Sequence, residues 1–113
     1  MNKLLIFVVS LSVFTLCSLD AAAYKGQSVY AKKCVKCHKG GQSFVSSKKA
    51  MEWNAIMKNE GEKLANLHLK SQNPDAKPSH EYFESGNFTK TANHLKDFLM
   101  EYAGDSGNVP ACN

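Results

Sequence analysis

The chain has 113 residues with a formal net charge of +4, and 43% of its residues are hydrophobic, which suits one compact domain. All 14 basic residues are lysine; without arginine, the usual residue for recognising nucleic acid, we expect no nucleic-acid partner. A domain of this size has a marginal hydrophobic core, so a disulfide, a metal or a cofactor is expected to support it.

Residues 1–23 have the organisation of a secretory signal peptide. Lys3 gives a positive start, residues 4–16 form an apolar run, and Ala21-Ala22-Ala23 supply small residues before a cleavage site at Tyr24. The run is shorter than the roughly 20 residues of a transmembrane helix. We therefore predict an exported, periplasmic domain of residues 24–113 without a stable membrane anchor.

A first helix is predicted over Gly26–Cys37, and it runs into the motif Cys34-Val35-Lys36-Cys37-His38. This is the C-x-x-C-H pattern of c-type haem attachment. Each thiol can add across one haem vinyl group, and the adjacent imidazole can reach the iron as an axial ligand. We predict one haem c held through Cys34 and Cys37, with His38 as a metal ligand. Export agrees with this prediction, because haem c is attached outside the bacterial cytoplasm.

The lysines are concentrated around this motif. Seven lysines and no acidic residue lie between Tyr24 and Met51, whereas six lysines and nine acidic residues follow from Glu52 onward. A basic face could steer a redox partner that has an acidic docking face toward the haem. Ordinary solvated lysines are the alternative interpretation.

The rest of the chain also predicts helices. Gly40-Gly41 end the first helix, and residues 42–47 are predicted as a loop. Lys48 to about Leu69 form one kinked helix or two short ones, interrupted near Gly61. Residues 71–88 are predicted as a second loop with one short turn, and Thr89 or Thr91 caps the last helix. There is no hairpin signal, so the predicted fold is all-α.

The single tryptophan, Trp53, lies in the middle segment. Its ring could pack on the haem edge, with the indole N–H reaching a propionate. A core position with another partner is the alternative.

This arrangement resembles the class I c-type cytochromes. The resemblance rests on the haem motif at the end of a first helix, a middle helix, a loop, and a last helix with an apolar stripe from Leu95 to Tyr102. It implies a bundle of three to five helices around one covalent haem, and a monomeric respiratory-chain electron carrier rather than an enzyme. The tail, residues 105–113, is also similar to that of small periplasmic monohaem cytochromes, some of which feed terminal reductases.

The sixth iron ligand departs from the family pattern, because the loop before the last helix contains no methionine. His68, which borders the apolar face of the middle segment, is the favoured candidate. The alternatives are an open site or one of several other side chains: His80, His94, Cys112, Met51, Met57 and Met100.

The cysteines leave other hypotheses open. Signal cleavage removes Cys17, unless that residue carries a lipid, and the remaining odd number argues against a disulfide framework. Cys112 is left unexplained by haem attachment. The main alternative is therefore a haem subunit or enzyme that acts on a sulfur or nitrogen compound, through Cys112 or through an open iron site. A thiol–disulfide oxidoreductase would need β-α-β units, and a zinc site would need a second ligand pair; neither pattern is present.

Overall fold

The computed structural model describes residues 21–110, and the all-α prediction is confirmed because these residues form helices and no strand. Two parts of the chain lie outside the described residues. One is residues 1–20 of the predicted signal peptide, with Cys17, and the other is the end of the tail, with Cys112. Within the described range, none of the helices has both the length and the apolar character needed to cross a membrane. The helices are α1 (Ala21–Lys33), α2 (Val35–His38), α3 (Gly41–Val45), α4 (Ala50–Ile56), α5 (Lys58–Leu69), a 3-10 helix (Pro74–Ser79), α6 (His80–Glu84) and α7 (Gly86–Glu101).

Helices α1 and α7 form the frame of the fold by packing closely against each other. The contact is close because Gly26 has no side chain: a Cβ there would overlap the His94 carbonyl oxygen and lie 2.6 Å from the Cβ of Phe98. The predicted stripe of α7 provides much of the core, since Ala92, Leu95, Phe98 and Leu99 are all buried. Tyr102, at the end of that stripe, is only half-buried.

The predicted interruption of the middle segment is also confirmed. Helix α4 ends at Ile56, and Asn59, Glu60 and Gly61 all have positive φ, between 52° and 76°. Three successive left-handed residues redirect the chain, and α5 then continues to Leu69. The bend matters for the site because α5 carries His68.

The predicted loops contain more helix than expected. Residues 41–45 form α3, and the loop at 71–88 contains the 3-10 helix and α6. Helix α7 begins at Gly86 rather than after Thr89, because the Ser85 hydroxyl caps it by accepting a hydrogen bond from the Phe88 N–H at 3.4 Å. Thr91 lies inside the helix and donates its hydroxyl hydrogen to the Asn87 carbonyl. Helices of one or two turns have too little periodicity for a sequence pattern to reveal them.

Candidate haem site

The motif cysteines lie where α1 passes into α2. The backbone remains hydrogen-bonded through this junction: the Cys34 N–H donates to the Tyr30 carbonyl at 2.8 Å and the His38 N–H to the Cys34 carbonyl at 2.9 Å. Residues at i, i+3 and i+4 share one face of a helix, so Cys34, Cys37 and His38 lie together. The chain then turns away at Lys39, where φ is 64°. The Tyr30 hydroxyl donates to the carbonyl of Lys39 at 3.2 Å and holds this turn.

These three residues line a cavity of about 470 Å³, and His68 lines the same cavity. Pockets of roughly 300–1,000 Å³ hold compact organic ligands, so the space is of the right order for a porphyrin. Most of the wall is apolar, and its apolar and aromatic members come from six α-helices and the 3-10 helix. They are Tyr30, Phe44, Trp53, Ile56, Leu64, Leu67, Ala76, Phe83, Leu95 and Leu99.

The imidazoles of His38 and His68 both line this cavity, with ring centres 6.0 Å apart and ring planes at 85°. Metal–imidazole bonds of about 2 Å place the centres of two opposing rings about 6 Å apart. The spacing therefore fits two axial ligands of one metal. The two thiols border the same space, so the donor set fits a covalently attached haem.

His68 is held in the tautomer that a metal ligand needs. Its Nδ1 lies 2.8 Å from the Leu64 carbonyl oxygen, and because a carbonyl can only accept, Nδ1 carries the hydrogen. Nε2 is then left with its lone pair available for a metal. His80, in turn, donates from Nε2 to the carbonyl of His68 at 2.9 Å, so it supports the helix end that carries His68.

The other candidate ligands stand elsewhere. Neither His80, His94 nor any methionine of residues 21–110 lines the cavity. Met57 is buried in the core, whereas Met51 is 83% exposed. The geometry therefore favours His68 among the described candidates.

Burial changes the protonation behaviour of two motif side chains. Burial, with a smaller contribution from Cys37, raises the pKa of the Cys34 thiol to about 12, so the sulfur keeps its hydrogen. Burial, followed by the influence of His68, lowers the pKa of His38 below its ordinary value. At neutral pH the His38 imidazole is therefore uncharged, which is the form that binds a metal.

Two phenylalanines contact the histidines of the site in a way that the sequence did not predict, although Phe44 was expected to be a packing residue and a short turn was expected around His80 to Phe83. Phe44 stacks on His38 with ring centres 4.0 Å apart and planes at 22°, and Phe83 stacks on His68 at 4.2 Å and 26°. Phe44 and Phe83 belong to the short helices α3 and α6, in segments predicted as loops. No spacing in the sequence relates either ring to its histidine.

The suggested contact of the Trp53 indole with a propionate is wrong. The indole has a single N–H, and it donates to the Val45 carbonyl at 2.8 Å within the core. Trp53 instead contributes its ring to the cavity wall.

The described residues contain no cluster of three or more His, Cys, Asp or Glu side chains placed to hold a bare metal ion. A haem iron takes only its axial ligands from the protein, so two facing imidazoles suit it. Comparisons with protein-family models, with curated proteins and with solved structures find no match for this chain.

Proposed function

We propose that this protein is a periplasmic electron carrier with one covalent haem c, and that it shuttles single electrons between respiratory-chain components. The proposal rests chiefly on one observation: Cys34, Cys37, His38 and His68 all line one largely apolar cavity. The first and last of these residues, Cys34 and His68, lie 34 positions apart in the sequence and are brought together by the fold. An all-helical bundle with this cavity supports the cytochrome c-like architecture that the motif implies.

The two thiols would attach the cofactor and the two imidazoles would ligate its iron. In each attachment the sulfur of Cys34 or Cys37 would bond to one vinyl carbon and the thiol hydrogen would go to the other carbon. Two thioethers therefore form without net oxidation or reduction. His38 and His68, which both line the cavity, would each offer one imidazole nitrogen to the iron.

When bound, the haem supplies an iron that takes up and releases one electron. The apolar wall, including Leu64, Leu95 and Leu99, excludes water from the iron's surroundings. Bis-histidine ligation gives a lower potential than the methionine ligation usual in the family. Because His68 faces His38, the geometry favours a carrier over the alternative of an enzyme with an open iron site. Cys112, which that alternative also invokes, lies outside the described residues.

Covalent attachment is the direct test of this proposal. The protein, expressed with its own leader in a host that matures haem c, is expected to show haem c absorption bands on reduction. Its haem should stay with the polypeptide after acid–acetone extraction. The double variant Cys34→Ala/Cys37→Ala should lose all extraction-resistant haem, whereas Lys36→Ala, a change within the same motif, should retain it. Haem that is extracted from the wild-type protein, or no haem at all, would contradict the proposal.

The basic face around the motif supports an acidic redox partner. Cys37, one of the two residues that would carry the haem, is exposed, and so are four lysines within five residues of it in the sequence: Lys32, Lys33, Lys36 and Lys39. The positive potential of these lysines would attract an anion toward the edge of the haem near Cys37, where electrons would enter and leave.

Ionic strength should therefore act with opposite sign on charged oxidants. We expect hexacyanoferrate(III), an anion, to oxidise the reduced protein several-fold more slowly when salt rises from 0.01 to 0.1 M, because the Debye length falls from about 30 to about 10 Å. A cationic tris(phenanthroline)cobalt(III) oxidant should react faster over the same range. Glutamine at Lys32, Lys33, Lys36 and Lys39 should weaken both effects more than glutamine at Lys58, Lys63, Lys70 and Lys90. If the two glutamine variants lost the same part of the salt dependence, the lysines around the motif would have no steering role.

A further inference from the structure

We infer that Phe44 and Phe83 are positioning residues that hold the two axial imidazoles at nearly a right angle. The inference rests on the proposed function, since it concerns His38 and His68 as ligands of one iron. It adds that the protein sets the relative orientation of these ligands, and with it the electronic state of the iron.

Each imidazole has a phenyl ring stacked on its face. Phe44 lies against His38 at 4.0 Å and Phe83 against His68 at 4.2 Å, in both cases with planes within 26° of parallel. An imidazole that turned about its side-chain bond would leave this parallel contact and drive its edge into the neighbouring ring. Such a turn would lose the stacking contact, whose attraction therefore resists it.

The two phenyl rings are themselves held by the core. Phe44 meets the edge of the buried Trp53 at 5.7 Å. Phe83 makes an edge contact with Phe88 at 4.9 Å and a tilted contact with Tyr82 at 5.3 Å. Aromatic pairs in these geometries contribute roughly 0.5–1.5 kcal/mol beyond simple burial. The orientation of the imidazoles is thus tied to the packing of the whole domain.

His68 has a second restraint. Its Nδ1–H donates to the Leu64 carbonyl one turn earlier on α5, and a hydrogen bond from the remote ring nitrogen orients a metal-ligating imidazole. With one ring stacked and hydrogen-bonded and the other stacked, the angle of 85° between them is a property of the polypeptide. A metal–nitrogen bond permits rotation about itself, so this bond alone would not set the angle.

The angle has an electronic consequence. The π orbitals of the two imidazoles interact with the d orbitals of the iron along directions set by the ring planes. Parallel planes act on one of the two relevant d orbitals and separate them in energy, whereas perpendicular planes act on both and leave them nearly equal. Ferric iron between perpendicular imidazoles therefore gives a low-spin electron paramagnetic resonance spectrum with one dominant low-field feature. Parallel imidazoles give a three-line rhombic spectrum.

Low-temperature electron paramagnetic resonance of the oxidised holoprotein tests the inference. We expect the single low-field feature in the wild-type protein. In Phe44→Leu and Phe83→Leu, which remove the flat ring and retain an apolar side chain, we expect the signal to shift toward the rhombic form or to split into several species. Phe98→Leu is the control: Phe98 is more deeply buried than Phe44 or Phe83 and packs on Tyr30 and Tyr102 rather than on a histidine, so its substitution should leave the signal unchanged.

The spectrum of the wild-type protein tests the right-angle orientation of the imidazoles even where a variant fails to accumulate. A low-spin, bis-imidazole optical spectrum with a rhombic resonance signal would overturn the inference and leave the proposed function intact. A high-spin spectrum, or absence of haem, would overturn the ligand set and this inference together. An unchanged signal in both phenylalanine variants would show that the stacked rings do not set the angle.

Discussion

Replacing His68 by alanine is expected to open one face of the iron and to tighten the binding of added imidazole to the ferric protein by about 100-fold. In the wild-type protein an external ligand must wait for His68 to leave, and its apparent affinity falls by the fraction of molecules that are open. An open fraction of about 1% corresponds to a 100-fold weaker apparent affinity. Optical titration of the oxidised protein with imidazole measures the difference, and the variant alone should show a high-spin spectrum.

The control for this prediction is His94→Ala, because His94 does not line the cavity. It should bind imidazole as weakly as the wild-type protein. A wild-type protein that already binds imidazole tightly would show that His68 is not a ligand. A high-spin spectrum in His80→Ala together with an unchanged His68→Ala would assign the position to His80 instead.

Replacing Gly61 by alanine is expected to lower the free energy of unfolding by about 3 kcal/mol, through backbone strain of 1–2 kcal/mol and added overpacking. Gly61 has a φ of 76°, and a Cβ there would lie 2.7 Å from Cζ of Phe88 and 3.2 Å from Cε of Met57. Phe88 is buried and has little room to retreat. For a domain of this size the melting temperature should fall by roughly 10–20 °C, as thermal unfolding followed by circular dichroism would show.

Gly107→Ala is the matched control. Gly107 has the same φ of 76°, but nothing lies within 4 Å of the Cβ that alanine would add. Gly107→Ala should therefore lower the free energy of unfolding by the backbone strain alone, about 1 kcal/mol, with no contribution from steric overlap. Equal losses of unfolding free energy in the two variants would mean that the Phe88 ring moves aside at little cost and that the bend at residues 59–61 is loosely packed.

Local patterns in the sequence predicted the parts of the fold that depend on near neighbours. The stripe of α7 is one example, because Ala92, Leu95, Phe98 and Leu99 recur at helical spacing and are all buried. The interruption near Gly61 is another, since it depends on the backbone of three consecutive residues. Shorter helices are harder to predict: the five residues of α3 were expected to be loop, and α6 was expected only as a short turn around His80 to Phe83, because five residues are too few to show a period.

The sequence by itself determined the half of the candidate site that lies within one helical turn. Cys34, Cys37 and His38 share a face because i, i+3 and i+4 positions must do so in any helix. Only the tertiary structure decided the other half. It shows that His68 lines the cavity, whereas His80 and His94 do not. It also shows that Phe83 stacks on His68 and that Phe44 stacks on His38. His38 and His68 lie 30 positions apart in the sequence, and no local periodicity extends across the bend at Gly61. Their meeting depends on how α4, α5 and α6 pack against α7, which is a property of the assembled core.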